Sequence, residues 1–135
     1  MNIPKVKRYQ RGDRLYVQAQ QIWMVLVAFV MFGEEGRTKR KTITYGKLAT
    51  KMGQDGRAGH VLGRQLGIIG EYCKSNDLPP LNVIVVTQET GIPGDEVVLH
   101  PGRSVRQEQA AVCRENWFNI RVPTPGTFRQ VWESI

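Results

Sequence analysis

Cysteine and histidine are scarce. Cys73 and Cys113 stand far apart with no Cys-x-x-Cys pair, and His60 and His100 are the only histidines in 135 residues. That excludes a disulfide framework and a histidine-based metal centre, and it fits reduced, buried thiols in an intracellular protein. Long apolar runs are missing too. The longest, Ile22 to Phe32, has 11 residues, short of the roughly 20 that a membrane span requires. It also lies too far from the N-terminus to act as a secretory signal, so the expectation is a soluble cytoplasmic protein with no membrane partner. No Gly-x-x-x-x-Gly-Lys-[Ser/Thr] phosphate loop occurs. The adjacent carboxylates are limited to Glu34-Glu35 and Asp95-Glu96, too few for the acidic cluster of a metallonuclease. No catalytic constellation emerges, and the expectation is a protein without enzyme activity, metal or cofactor.

The charge that is present is unevenly placed. Met1 to Arg64 carries 13 Lys/Arg against 4 Asp/Glu, whereas Gln65 to Ile135 carries 6 against 8. A basic half within a chain of net charge +7 is the asymmetry of a polyanion-binding face. With 41% hydrophobic and 23% charged residues the composition is that of a globular protein. Residues 1–13, with Lys5, Lys7, Arg8 and Arg11, read as a basic arm suited to phosphate contacts. Residues 14–135 read as one domain.

The stretch Thr42 to Cys73 organises the rest. Thr44 is placed to cap a helix in which Tyr45, Leu48, Ala49 and Met52 share one face. Gly53-Gln54-Asp55-Gly56 breaks that helix. A second helix follows, with Ala58, Val61, Leu62, Ile69, Tyr72 and Cys73 inward and Arg57, His60 and Arg64 together on another side. This is a helix-turn-helix pattern. Before it, Leu15 to Phe32 reads as the central buried helix, ended by Gly33 to Gly36. Arg37 to Lys41 then places Lys39, Arg40 and Lys41 in a basic loop beside the recognition helix. After it, Leu81 to Thr87 reads as a strand, Glu89 to Gly94 as a turn, and Glu96 to His100 as the partner strand. The expected fold is therefore mostly α with a small β-hairpin wing, a winged helix-turn-helix. Ser104 and Gln107 form a capping box for a helix reaching about Asn116. Trp117, Phe118 and Ile120 should return to the core. Pro123 to Gly126 should be a rigid turn, with Thr127 capping a last helix that carries Phe128, Val131 and Trp132.

Several segments, taken in order, resemble one family. Ile22-Trp23-Met24-Val25-Leu26, Thr44-Tyr45-Gly46-Lys47-Leu48-Ala49, Gly53 and Val61-Leu62-Gly63-Arg64-Gln65-Leu66-Gly67 resemble the C-terminal domain of alkylguanine-DNA alkyltransferases. They resemble the non-enzymatic alkyltransferase-like proteins equally, over about residues 20–94. The resemblance implies a recognition helix in the DNA minor groove, Tyr45 against a phosphate, and Arg57 and Arg64 flanking the groove. It puts His60 where the family has its arginine finger, and histidine is shorter and mostly neutral at pH 7. The Pro-Cys-His-Arg segment that carries the family's alkyl acceptor is replaced by Ile84-Val85-Val86-Thr87-Gln88, with no thiol to receive an alkyl group. The link from Gly70 to Pro80 is also longer than the family's.

Together these readings predict a non-catalytic protein that binds double-stranded DNA by backbone and minor-groove contacts, in lesion recognition or regulation. The DNA-facing set is Tyr45, Arg57, His60, Arg64, Lys39, Arg40, Lys41 and Lys47. The alternative is an interaction module that uses the same fold to bind a nuclease or another nucleic-acid-processing partner. A base-processing enzyme is a weaker third reading, since no plausible catalytic acid or base is expected beside Thr87 and Gln88.

Overall fold

The computed structural model describes residues 2–9, 14–32 and 41–135. Five helices dominate: α1 (Arg14–Met31), α2 (Tyr45–Lys51), α3 (Gly63–Ser75), α4 (Val105–Arg114) and α5 (Pro125–Glu133). Two-residue strands β1 (Ile43–Thr44) and β2 (Val85–Val86) form the small sheet.

α1 is the central helix. It has the length and mean hydropathy of a membrane span, 1.2 over its 18 residues. Its buried stripe of Ile22, Trp23, Leu26 and Val30 packs within the protein, against α3 and α5. Trp23 is the hub of an aromatic cluster: edge-on to Tyr72 at 5.7 Å and to Trp117 at 5.5 Å between centroids, and tilted to Phe128 at 6.3 Å. Such edge-to-face pairs contribute roughly 0.5–1.5 kcal/mol each beyond area burial. Trp117 also donates its ring N–H to the Val112 carbonyl at 2.8 Å, so its one polar atom is satisfied in the core.

Local signals fix several boundaries. Thr44 caps α2, its hydroxyl accepting from the Lys47 amide at 3.2 Å. Ser104 and Gln107 form the expected capping box at the start of α4. Cys73 and Cys113 are both free and buried. Residues 2–9 are exposed and have no regular secondary structure. Tyr9 donates to the Gln20 side chain, which in turn donates to the Pro123 carbonyl at 3.1 Å.

The structure corrects other expectations. Within Leu81 to Thr87, residues Leu81–Ile84 form a 3-10 turn and only Val85–Val86 is strand. Its partner is β1, in parallel, with Ile43 opposite Val85 and Thr44 opposite Val86. Residues 81–86 are all buried, so their β-branched side chains fill the core instead of building one face of a hairpin. The turn does form: the Thr87 amide donates to the Ile92 carbonyl at 2.9 Å. Antiparallel pairing stops at the Val86–Pro93 bridge, because proline has no amide to extend it. Glu96 to His100 accordingly forms no strand, and its side chains bond to α2 and α4 instead. The second helix of the expected pair is divided as well. A 3-10 turn, Gly56–Val61, precedes α3, and Val61 is 58% exposed, not inward. Phe118 is also exposed. The cap of α5 is Thr124, with Pro125 at the first helical position and the Thr127 amide as donor at 3.1 Å. That choice sets the residue without an amide where no partner would be available. The Gly33 to Gly36 stop lies outside the described residues.

Candidate functional site

A cleft of about 410 Å³ opens where the start of α2, the 3-10 turn Gly56–Val61 and the segment after β2 meet. Its walls include Tyr45, Arg57, His60, Thr87, Gln88 and Glu96. Close backbone approach makes this possible. A Cβ on Gly59 would lie 2.6 Å from the carbonyl carbon and oxygen of Tyr45, so only glycine lets the 3-10 turn lie directly on α2.

Tyr45 sits at the centre. Its hydroxyl donates to the Glu96 carboxylate and accepts from the Gly94 amide at 2.9 Å. Burial raises its pKa above the ordinary tyrosine value, and the bond to Glu96 pushes the same way. The phenol thus stays protonated, committed to a carboxylate, and a phosphate there would face like charge from Glu96. Gly94 closes the arrangement, since a Cβ on it would collide with the Tyr45 hydroxyl and the Glu96 carboxylate.

Arg57 and His60 lie on the opposite wall. Arg57 is 92% exposed at its side chain, and the Asp55 carboxylate holds it through Nε at 3.2 Å and Nη2 at 3.1 Å. Asp55 also caps the 3-10 turn, accepting from the Arg57 amide at 2.8 Å. The Arg57 guanidinium and amide hold the Asp55 carboxyl below its usual range. His60 Nδ1 bonds to the Arg57 carbonyl. A carbonyl only accepts, so Nδ1 is the donor.

The expected DNA-facing set is only partly brought together. Tyr45, Arg57 and His60 share the cleft. Arg64 does not line it: its guanidinium lies over the Trp132 ring, 5.5 Å from the centroid, on the side of α5. Lys47 is exposed on α2. Lys41 is half-buried, with Nζ unpartnered among the described residues. Lys39 and Arg40 lie outside the described residues.

Sequence reasoning missed Glu96 and Gly94. It expected no plausible acid or base beside Thr87 and Gln88, yet Glu89 and Glu96 both join them in the cleft. The contact spans 51 residues, and no periodic pattern encodes it. Thr87 and Gln88 occupy the stretch that the family resemblance assigns to the alkyl acceptor, and they bring a hydroxyl and an amide. Neither thiol lines this cleft. Cys73 is buried and pushed up to about 12, which leaves it a poor nucleophile. Among the described residues no group of three His, Cys, Asp or Glu could hold a metal ion. Neither a protein-family model, nor a curated protein, nor a solved structure matches the chain.

Proposed function

We propose that the protein is a non-catalytic DNA-binding protein of alkyltransferase-like type. In this reading α2, the 3-10 turn and α3 act as a helix-turn-helix whose wing is reduced to the turn around Gly91. They engage duplex DNA through backbone and minor-groove contacts, in lesion recognition or regulation. The observation that carries the reading is the exposed Arg57 at the mouth of a cleft that also holds His60, on a turn packed by Gly59 directly against α2. Arg57 and His60 belong to the basic half of the sequence.

Tyr45 takes a different part from the one the resemblance implies. With its hydroxyl bonded to Glu96 and Gly94 it shapes the cleft, and phosphate contact falls to Arg57, Lys47 and the preceding basic loop. The test is duplex binding at two salt concentrations, for the natural chain and for a variant combining Arg57→Ala with Lys47→Ala. Salt-sensitive binding that weakens about tenfold or more in the variant is the expected outcome, from the loss of two phosphate contacts. Unchanged binding would sink the reading. Preference for an alkylated guanine would separate lesion recognition from general binding.

One observation favours the interaction-module reading. Phe32 and Phe118 are 74% and 56% exposed and lie tilted against each other with centroids 5.3 Å apart, while Met24, on α1, is 45% exposed. Aromatic pairs of this kind are enriched at protein interfaces. A partner that co-purifies with the chain but is lost on Phe118→Ser, with no duplex binding near physiological salt, would establish it.

A further inference from the structure

A second cleft, of about 440 Å³, lies between the first turns of α1 and α3. Leu15, Val61 and Leu62 supply apolar walls, Arg14 a cation, and Gln18, Gln54 and Gln65 amides. Among the described residues no carboxylate lines it. Gln65 is 7% exposed and donates through Nε2 to the Gln18 oxygen at 2.7 Å. Its own Oε1 is cut off from solvent and has no partner among the described residues. A buried amide oxygen without a donor is costly. The Gln18 and Gln65 amides both line the cleft, which has room for a planar ring.

We propose that this cleft binds an adenine nucleotide, with the Gln65–Gln18 pair reading the base and Arg14 holding the phosphate. The amides offer an acceptor on Gln65 and a donor on Gln18, side by side. Adenine answers with its amino group next to a ring nitrogen, the pairing that glutamine makes with adenine in nucleic-acid recognition. Guanine and uracil place a carbonyl oxygen at that end of the ring, against the Gln65 oxygen. Cytosine presents the same amino group beside a ring nitrogen, so CMP joins the titration as the test of ring size. Leu15, Val61 and Leu62 then cover the faces of the ring. Arg14 sits at the start of α1 and provides the one charged contact among the cleft residues. The adenosine phosphate can come from a free nucleotide or from a single DNA strand. The inference does not depend on the DNA-binding reading, because the Arg57 cleft shares no residue with this one.

The experiment is a titration of the isotope-labelled full chain with AMP, GMP, CMP and a short single-stranded oligo-dA, following side-chain amide and backbone signals. Saturable shifts centred on Gln18 and Gln65, with AMP at least about tenfold tighter than GMP and tighter than CMP, are the expected result. Gln65→Met, which keeps the volume, should remove the preference for AMP over GMP, and Arg14→Gln should weaken AMP without changing adenosine. Binding by oligo-dA and not by AMP would identify the strand as the source, and the reverse would identify the free nucleotide. Equal response to AMP and GMP or to AMP and CMP, shifts centred on Arg57 and His60, or no saturable shift in any arm would overturn the proposal. Thermal unfolding of each variant shows whether it remains folded, and Gln18→Met provides a second version if Gln65→Met does not. Duplex binding measured on the same variants stays unchanged if only the nucleotide proposal fails.

Discussion

Two glycines on the same wall of the Arg57 cleft behave differently for a reason that single side chains make plain. Gly59 faces the Tyr45 carbonyl, and an added Cβ would press into backbone that cannot yield. Gly63, at the start of α3, has nothing within 4 Å of where a Cβ would stand. Gly59→Ala should therefore cost about 3 kcal/mol or more, the upper range for overpacking. Gly63→Ala should change stability by less than about 1 kcal/mol. Chemical denaturation of both variants checks the pair. Asp55 offers a sharper test of function at the same scale. Asp55→Asn keeps an oxygen for the cap of the 3-10 turn but releases Arg57 from its ion pair. Under the proposed function, duplex binding should tighten by about two- to fivefold, the worth of an exposed ion pair. Weaker binding would show that Arg57 must be held by Asp55 to act.

Elements are tied together here by side chains that replace missing sheet pairing. The segment Glu96 to His100 would be the second strand of a hairpin, but Glu96 is bound to Tyr45 on α2 and His100 to Glu108 on α4. Glu108 is 1% exposed and accepts from the His100 amide at 2.9 Å, His100 Nδ1 at 2.7 Å and Arg103 Nε at 2.9 Å. This carboxylate anchors the loop that leads back to Glu96 and the cleft. Glu108→Ala should destabilise by about 3–5 kcal/mol, as expected when one partner of a buried ion pair is removed. Unfolding monitored by circular dichroism measures the loss. The expected wing failed for the same physical reason. Its β-branched run reads as strand locally, while Pro93 ends the ladder and distant side-chain bonds claim the partner segment.

At the scale of the whole molecule, folding shields two groups whose pH dependence has one sign. Cys73 is moved from 9.0 to about 12 by burial, and Tyr45 is raised as well. Between pH 9 and 12 the folded chain therefore holds a proton at Cys73 that the unfolded chain has released. Protonated thiol is the folded form, so this contribution is fully present below pH 9 and is lost as pH rises toward 12. The denaturation midpoint should fall over that range, and Cys73→Val should flatten the fall. A thiol reagent should reach Cys73 only after unfolding. A slope unaffected by Cys73→Val would assign the effect to other groups.

Much of the helical framework was readable because its causes are local. The apolar periodicity of α1, the Thr44 cap and the Ser104–Gln107 capping box each act within about one turn of helix, so neighbouring residues suffice to set them. The basic first half and the absence of an alkyl-accepting thiol near Thr87 likewise follow from composition and order. Other features depend on residues far apart in the chain. Only tertiary structure brought Glu96 to Tyr45 and Gln65 to Gln18, turned Arg64 away to Trp132, and paired β2 with β1 in parallel. Burial selects those contacts: each satisfies or shields a polar group, or fills core volume, that the local sequence leaves open.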